Sequence, residues 1–288
     1  MNIVVTSGTG TVGSEVAKAL VARGLRPRVM TRSAEKFAAL PKGAEGVLGD
    51  FENPATLASA FKGADALFLL TPLSPVETEL GLAAVEAAKA AGIGRIVYMS
   101  VVMPPGSEVI PHFRSKIPIE EAVQESGASY TILWPNNFYQ NDRMFREAIM
   151  KYGIYPQPLG TKVGANRVDV RDIADAATNA LLSSDHQGRL YPLNGPEPLT
   201  GPDIARVYSR HLGREIRYAG DDLDAWEKQA RTMLPEWLAH DLRIMYQFFQ
   251  KHGLPATQED LELQRTVLGH EPRTFEAFVE EHAAAWKS

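Results

Sequence analysis

The stretch SGTGTVG, Ser7 to Gly13, constrains this chain more than any other feature. It follows a short β-branched apolar run, Asn2–Thr6, and precedes a segment with Val12, Val16 and Leu20 on one helical face. Gly8, Gly10 and Gly13 satisfy G-x-G-x-x-G. Glycines in that register permit a tight turn, close approach of a pyrophosphate, and helix–strand contact. The helix that follows offers free backbone N–H groups and a positive dipole end to phosphate. A strand, this loop and a helix at the start of a chain predict a dinucleotide-binding βαβ unit.

The pattern downstream agrees. Strand signals at Pro27–Thr31, Gly46–Leu48, Ala66–Leu70, Arg95–Ser100 and Ser129–Leu133 alternate with helical segments at Ala34–Leu40, Pro54–Phe61, Glu77–Ala91 and Ile117–Ser126. Alternation of this kind predicts an α/β fold, a doubly wound parallel sheet of the Rossmann type. After Pro135 the rhythm changes. We read residues 1–150 as the dinucleotide-binding domain, residues 151–165 as a Gly/Pro-rich excursion, and 166–186 as a return, with Asp172 capping a helix. Residues 187–288 then form a smaller α-rich substrate or lid domain that carries Trp226, Trp237 and Trp286.

The second strand ends in RVMTRS. NAD enzymes usually place an acid there to bind the ribose hydroxyls. Here Arg32 and Ser33 stand instead, with Lys36 one turn on. A guanidinium matches the oxygens of a 2′-phosphate, so the expected cofactor is NADP(H). The formal net charge of -5 argues against a nucleic-acid partner. The absence of cysteine removes disulfides, thiol nucleophiles and Cys-based metal sites. Neither a signal peptide nor a membrane-length apolar run is expected, and the default location is cytoplasmic. The histidine and carboxylate spacings suggest no metal.

The loop, the Thr31-Arg32 pair, Lys116, SGASYTILWPNNFYQN, VDVRDIADAA and LGHEPRTFEAFVEEH, in that order, resemble the NmrA-like group of atypical short-chain dehydrogenase/reductase proteins. That group's loop reads G-x-x-G-x-x-G, so Ser7 would replace its first glycine. The resemblance implies that Thr9, Gly10, Thr11 and Val12 face the pyrophosphate. It places Asp50 and Phe51 by the adenine, and Thr71 and Pro72 by the nicotinamide ribose. Ser100 and Val101 would lie near the nicotinamide, with Pro135, Asn136, Asn137 and Phe138 on its far side.

Short-chain reductases pair a proton-donating tyrosine with a lysine four residues later. Here PHFRSK keeps Lys116 but places His112 where the tyrosine belongs. Helical spacing would put both on one face. Three readings stay open. His112 donates the proton, since an imidazole titrates near neutrality. Or a quinone, azo, enone or carbonyl acceptor takes hydride and finds its proton elsewhere. Or the protein senses NADP(H) without turnover. Phe138, Tyr139 and Asn141 are the expected substrate contacts. Trp226, Met233, Trp237, Phe248 and Phe249 are further candidates for an apolar pocket. A small-molecule substrate is expected, and a homodimer or a regulatory protein partner is compatible with the sequence.

Overall fold

The structure is a computed structural model and describes residues 1–287 of the 288. Seven strands form one parallel sheet: β1 (Ile3–Val5), β2 (Arg28–Thr31), β3 (Glu45–Leu48), β4 (Ala66–Leu69), β5 (Arg95–Met99), β6 (Ser129–Pro135) and β8 (Arg189–Leu193), with β7 (Ile154–Tyr155) lying elsewhere. The order across the sheet is β3-β2-β1-β4-β5-β6-β8. β1 pairs with β2 on one side and β4 on the other, in parallel on both. The winding reverses there, and open α/β sheets bind ligands beyond the strand ends at such a point.

The central strands are apolar on both faces because helices cover both. α1 (Thr11–Ala22), α7 (Val170–Leu182) and α11 (Gln258–Leu268) bury one face, with Val5, Val16, Phe68, Ile173 and Val267 at its core. α2 (Pro54–Phe61), α3 (Glu77–Ala90) and α5 (Ile117–Gln124) bury the other, around Leu57, Leu67, Val85 and Ile119. The segment expected as a helix after β2 is a 3₁₀ turn, Ala34–Ala39.

A third core lies above the carboxyl ends of the strands. It joins α4 (Pro111–Arg114), α6 (Arg146–Tyr152), α8 (Gly201–Leu212), α9 (Leu223–Ala230), α10 (Glu236–His252) and α12 (Phe275–Lys287). The two-stranded pair β7 (Ile154–Tyr155) and β9 (Arg217–Tyr218) runs through it. The expected boundary at residue 187 is therefore corrected. β8 pairs with β6 from Thr131↔Arg189 onward, and α11 packs on α7 and β8. Residues beyond 187 divide between the sheet layers and the lid, because the apolar run of β8 completes the sheet edge.

Asp172 is also corrected as a helix cap. Asp169 caps α7, accepting the Arg171 N–H at 2.8 Å. Asp172 lies within the first turn and accepts the Arg273 N–H at 2.8 Å, tying α7 to the segment before α12.

Candidate active site

The glycine-rich loop turns hard between β1 and α1. Ser7 adopts φ +48°, a left-handed conformation that costs a residue with Cβ on the order of 1 kcal/mol. Its hydroxyl donates to the Leu70 carbonyl at 2.9 Å, and its own carbonyl accepts the Gly10 N–H at 2.9 Å. These bonds hold a serine where the family pattern has glycine. A Cβ on Gly13 would lie 2.4 Å from the Ser7 oxygen and 2.8 Å from Gly8 Cα. One on Gly8 would lie 2.2 Å from Val29 Cγ1. Glycine at these positions lets the loop backbone pack on itself and on β2, the tight strand–helix turn that a dinucleotide-binding loop uses.

Beyond it opens a cleft of about 460 Å³. Ser7, Thr9, Gly10, Arg32, Lys36, Asp50, Phe51 and Pro72 line it. Arg32 and Lys36 are exposed, and among the described residues neither side chain is engaged in an ion pair. Two unspent positive charges stand beside the loop. Thr11 and Val12 sit in the first turn of α1, Thr11 exposed and Val12 buried against the sheet. Their backbone N–H groups belong to the first turn of the helix, whose donors have no partner within the helix. The Ser33 hydroxyl donates to Glu35 at 2.5 Å, at the rim rather than in the cleft. Gly8 borders a smaller hollow shared with Thr9 and Lys36.

A second cavity of about 400 Å³ lies over the ends of β4, β5 and β6. Thr71, Ser100, Val101, His112, Lys116, Pro135, Asn137, Phe138 and Asn141 line its sheet side. Its roof is one stripe of the lid, with Leu238, Leu242, Met245 and Phe249 on α10. His112 and Lys116 share this cavity although no single helix carries them: α4 ends at Arg114, and Lys116 precedes α5.

Tyr139 is corrected as a substrate contact. It is buried within the lid core, packs on Phe275 and Phe278, and its hydroxyl donates to the Arg273 carbonyl at 3.1 Å. The short helical turn Tyr139–Phe145 rotates it away while Phe138 and Asn141 remain on the cavity. Of the aromatic candidates, Phe249 lines the cavity, whereas Trp237 lines the first cleft instead. Met233 is exposed, Trp226 packs on Tyr246, and Phe248 belongs to the lid core.

Sequence reasoning missed the acids behind the site. Glu77, at the start of α3, is fully buried and pairs with Lys116 Nζ. It also accepts the Thr71 hydroxyl at 2.5 Å and the Ser115 hydroxyl at 3.1 Å. Behind Ser100 lies Glu120, which accepts the Ser100 hydroxyl and, at 2.8 Å, the Trp134 indole N–H. Burial raises the Glu120 pKa, with the two hydrogen bonds and the Lys116 charge pulling the other way. Away from the cavity, Asp172, Asp175 and His270 bring ligand-type atoms within 4.8 Å of one another. The Arg273 guanidinium already bridges the two carboxylates, so that group is a salt-bridge cluster.

Comparison with known proteins agrees with this geometry. The sequence profile of the NmrA-like family matches residues 1–279. An NAD(P)H azoreductase from Xenophilus azovorans is 34% identical over 287 residues, covering 99% of both chains. A (4-alkanoyl-5-oxo-2,5-dihydrofuran-3-yl)methyl phosphate reductase from Streptomyces griseus is 31% identical over 289 residues, again covering 99% of each. In fold, the NADPH complex of a quinone oxidoreductase from Escherichia coli superposes with a TM-score of 0.85 at 24% identity, covering 97% of this chain and 99% of that one. The tight glycine turn, the parallel sheet and the sequence match over nearly the whole chain place this protein in the NmrA-like family.

Proposed function

We propose that this NADP(H)-dependent oxidoreductase reduces a flat, hydrophobic small molecule of the quinone, azo, enone or carbonyl type. The observation that carries the reading is the second cavity, whose apolar roof and sheet-end floor adjoin the dinucleotide cleft. Leu73 lines both spaces, so the two lie side by side. A protein that only sensed NADP(H) would have no use for an apolar chamber of about 400 Å³ beside it. The azoreductase and phosphate-ester reductase relatives act on conjugated acceptors by name, which supports the same class.

NADPH, when bound, supplies a hydride from its nicotinamide ring. The chain's own residues bind, orient and exclude water. Arg32 and Lys36 take the 2′-phosphate, and the backbone of Thr9 to Val12 takes the pyrophosphate. Asp50 and Phe51 border the adenine. Lys116, held by Glu77, presents its ammonium to the ribose, and Thr71 and Pro72 close that side. Ser100, Val101, Pro135, Asn137 and Phe138 enclose the nicotinamide end. Leu238, Leu242, Met245 and Phe249 press the acceptor against it, so positioning is the main catalytic device.

The test is NADPH oxidation, followed by nicotinamide absorbance, against quinones, azo dyes, enones and aldehydes. Turnover that Lys116→Ala strongly reduces is the expected result. Tight NADPH binding with no turnover on any acceptor would overturn the reading in favour of a sensor.

A further inference from the structure

Reducing a quinone or azo bond takes a hydride and a proton, and the usual tyrosine donor is absent. His112 occupies its place and lines the acceptor cavity. Its Nδ1 lies 2.5 Å from Asp241 Oδ1, across 129 residues of sequence. Asp241 is a buried residue of α10, next in sequence to Leu242 of the lid stripe, and reaches the cavity through His112 rather than lining it itself. The side chains are 14% exposed for His112 and 6% for Asp241, so neither is a surface group. Phe113 meets the imidazole edge-on, with ring centroids 4.8 Å apart, and limits its rotation. An ionised carboxylate only accepts, so it fixes the Nδ1–H toward Asp241. Nε2 has no hydrogen-bond partner among the described residues and is the nitrogen left for the cavity.

We infer that His112 and Asp241 form the proton-delivering pair, with His112 as the catalytic acid and Asp241 as its positioning residue. The inference rests on the reductase reading above. In the balanced step the acceptor's double bond gains the hydride at one end, and the displaced electron pair collects at the other. That atom takes the proton from Nε2 of the doubly protonated ring. Acceptor, NADPH and imidazolium become reduced acceptor, NADP⁺ and neutral imidazole. The imidazole keeps its Nδ1–H on Asp241 and regains the Nε2 proton from water.

The test compares wild type, His112→Gln, Asp241→Asn and Asp241→Glu on two acceptors. A benzoquinone needs the proton. A cationic triarylmethane dye needs hydride alone, since hydride neutralises its central carbon. With quinone, kcat should fall roughly 10²-fold or more in His112→Gln and Asp241→Asn. The loss with the dye should be far smaller, and Asp241→Glu should recover part of the quinone rate. The solvent isotope effect on quinone reduction should rise in both damaged variants. In the cofactor-free protein, nitrogen-15 spectra should show His112 protonated at Nδ1, and Asp241→Asn should lose that preference. Equal losses on both acceptors, an unchanged isotope effect or an unchanged tautomer would overturn the pair while leaving the reductase reading intact. Turnover of no acceptor by wild type would overturn both.

Discussion

Asp142→Asn should be among the most damaging single-atom changes outside the acceptor cavity. Asp142 and Arg167 are both fully buried, where the lid meets the end of β6. Arg167 donates to the two carboxylate oxygens at 3.1 Å and 2.8 Å. The same carboxylate accepts from Tyr155, Gln157 and Tyr208 at 3.2 Å, 3.2 Å and 3.0 Å. Burial alone would lower the Arg167 pKa, but the Asp142 charge reverses this and the net shift is upward. The asparagine amide fits the space, yet it removes the charge and turns one acceptor into a donor that faces other donors. Removing one partner of a buried pair costs about 3–5 kcal/mol. At roughly 2–3 °C per kcal/mol for a large domain, Tm should fall by about 6–15 °C. Activity should fall as well, because Arg167 also holds Asn137 Oδ1 at 2.9 Å and the Phe138 carbonyl at 2.6 Å, both on the cavity wall. The assay is thermal and urea unfolding alongside steady-state turnover. Pairing Asp142→Leu with Arg167→Met should recover part of the stability lost in Asp142→Leu alone, since no buried charge is left unpaired, although Tyr155, Gln157 and Tyr208 still lose their acceptor. A Tm loss under about 2 °C for Asp142→Asn would refute the reasoning.

Arg32→Glu should weaken NADPH by roughly 10- to 100-fold, the range expected for losing charge-assisted bonds to phosphate, and NADH far less; fluorescence titration with both cofactors checks it. Gly13→Ala should abolish cofactor binding in whatever folded protein remains, because its Cβ meets backbone rather than a movable side chain. Glu120→Gln should remove a pH dependence of stability. The folded pKa of Glu120 is raised, so its contribution is fully present below the ordinary carboxylate value and is lost as pH rises through the folded value. The variant keeps the acceptor for Ser100 and Trp134 without a buried charge, so its Tm relative to wild type should be higher at neutral pH than in acid. A constant difference across that window would count against the assignment.

What the sequence reveals is what is local. The phosphate loop, Arg32 and the strand ends are each set by a few neighbouring residues, and the fold brings them to the walls of two neighbouring spaces. The α10 stripe escapes a reading that looks for aromatic residues, since Leu238, Leu242 and Met245 recur at helical spacing with Phe249 and a stripe does not say which core it faces. Tyr139 misleads for a similar reason. One residue beyond Phe138, the chain enters a 3₁₀ turn, and side-chain direction reverses within a single step. Glu77 reads as an ordinary first-turn acid that favours a helix N-terminus. Only the fold reveals that it is buried beneath Lys116. The same holds for Asp169 and Asp172, where two acids three residues apart fit one cap, and Arg273 takes up the second. His112 and Asp241 form the extreme case. His112 stands out in the sequence by its place before Lys116, but Asp241 reads as a solvated helix residue, and the lid that joins them is made of segments the nucleotide fold does not need. The parts that bind a shared cofactor are thus written in short stretches. The parts that select and protonate the acceptor arise where lid and sheet meet, through contacts far apart in sequence, so substitutions in the lid can change the acceptor while the cofactor site stays fixed.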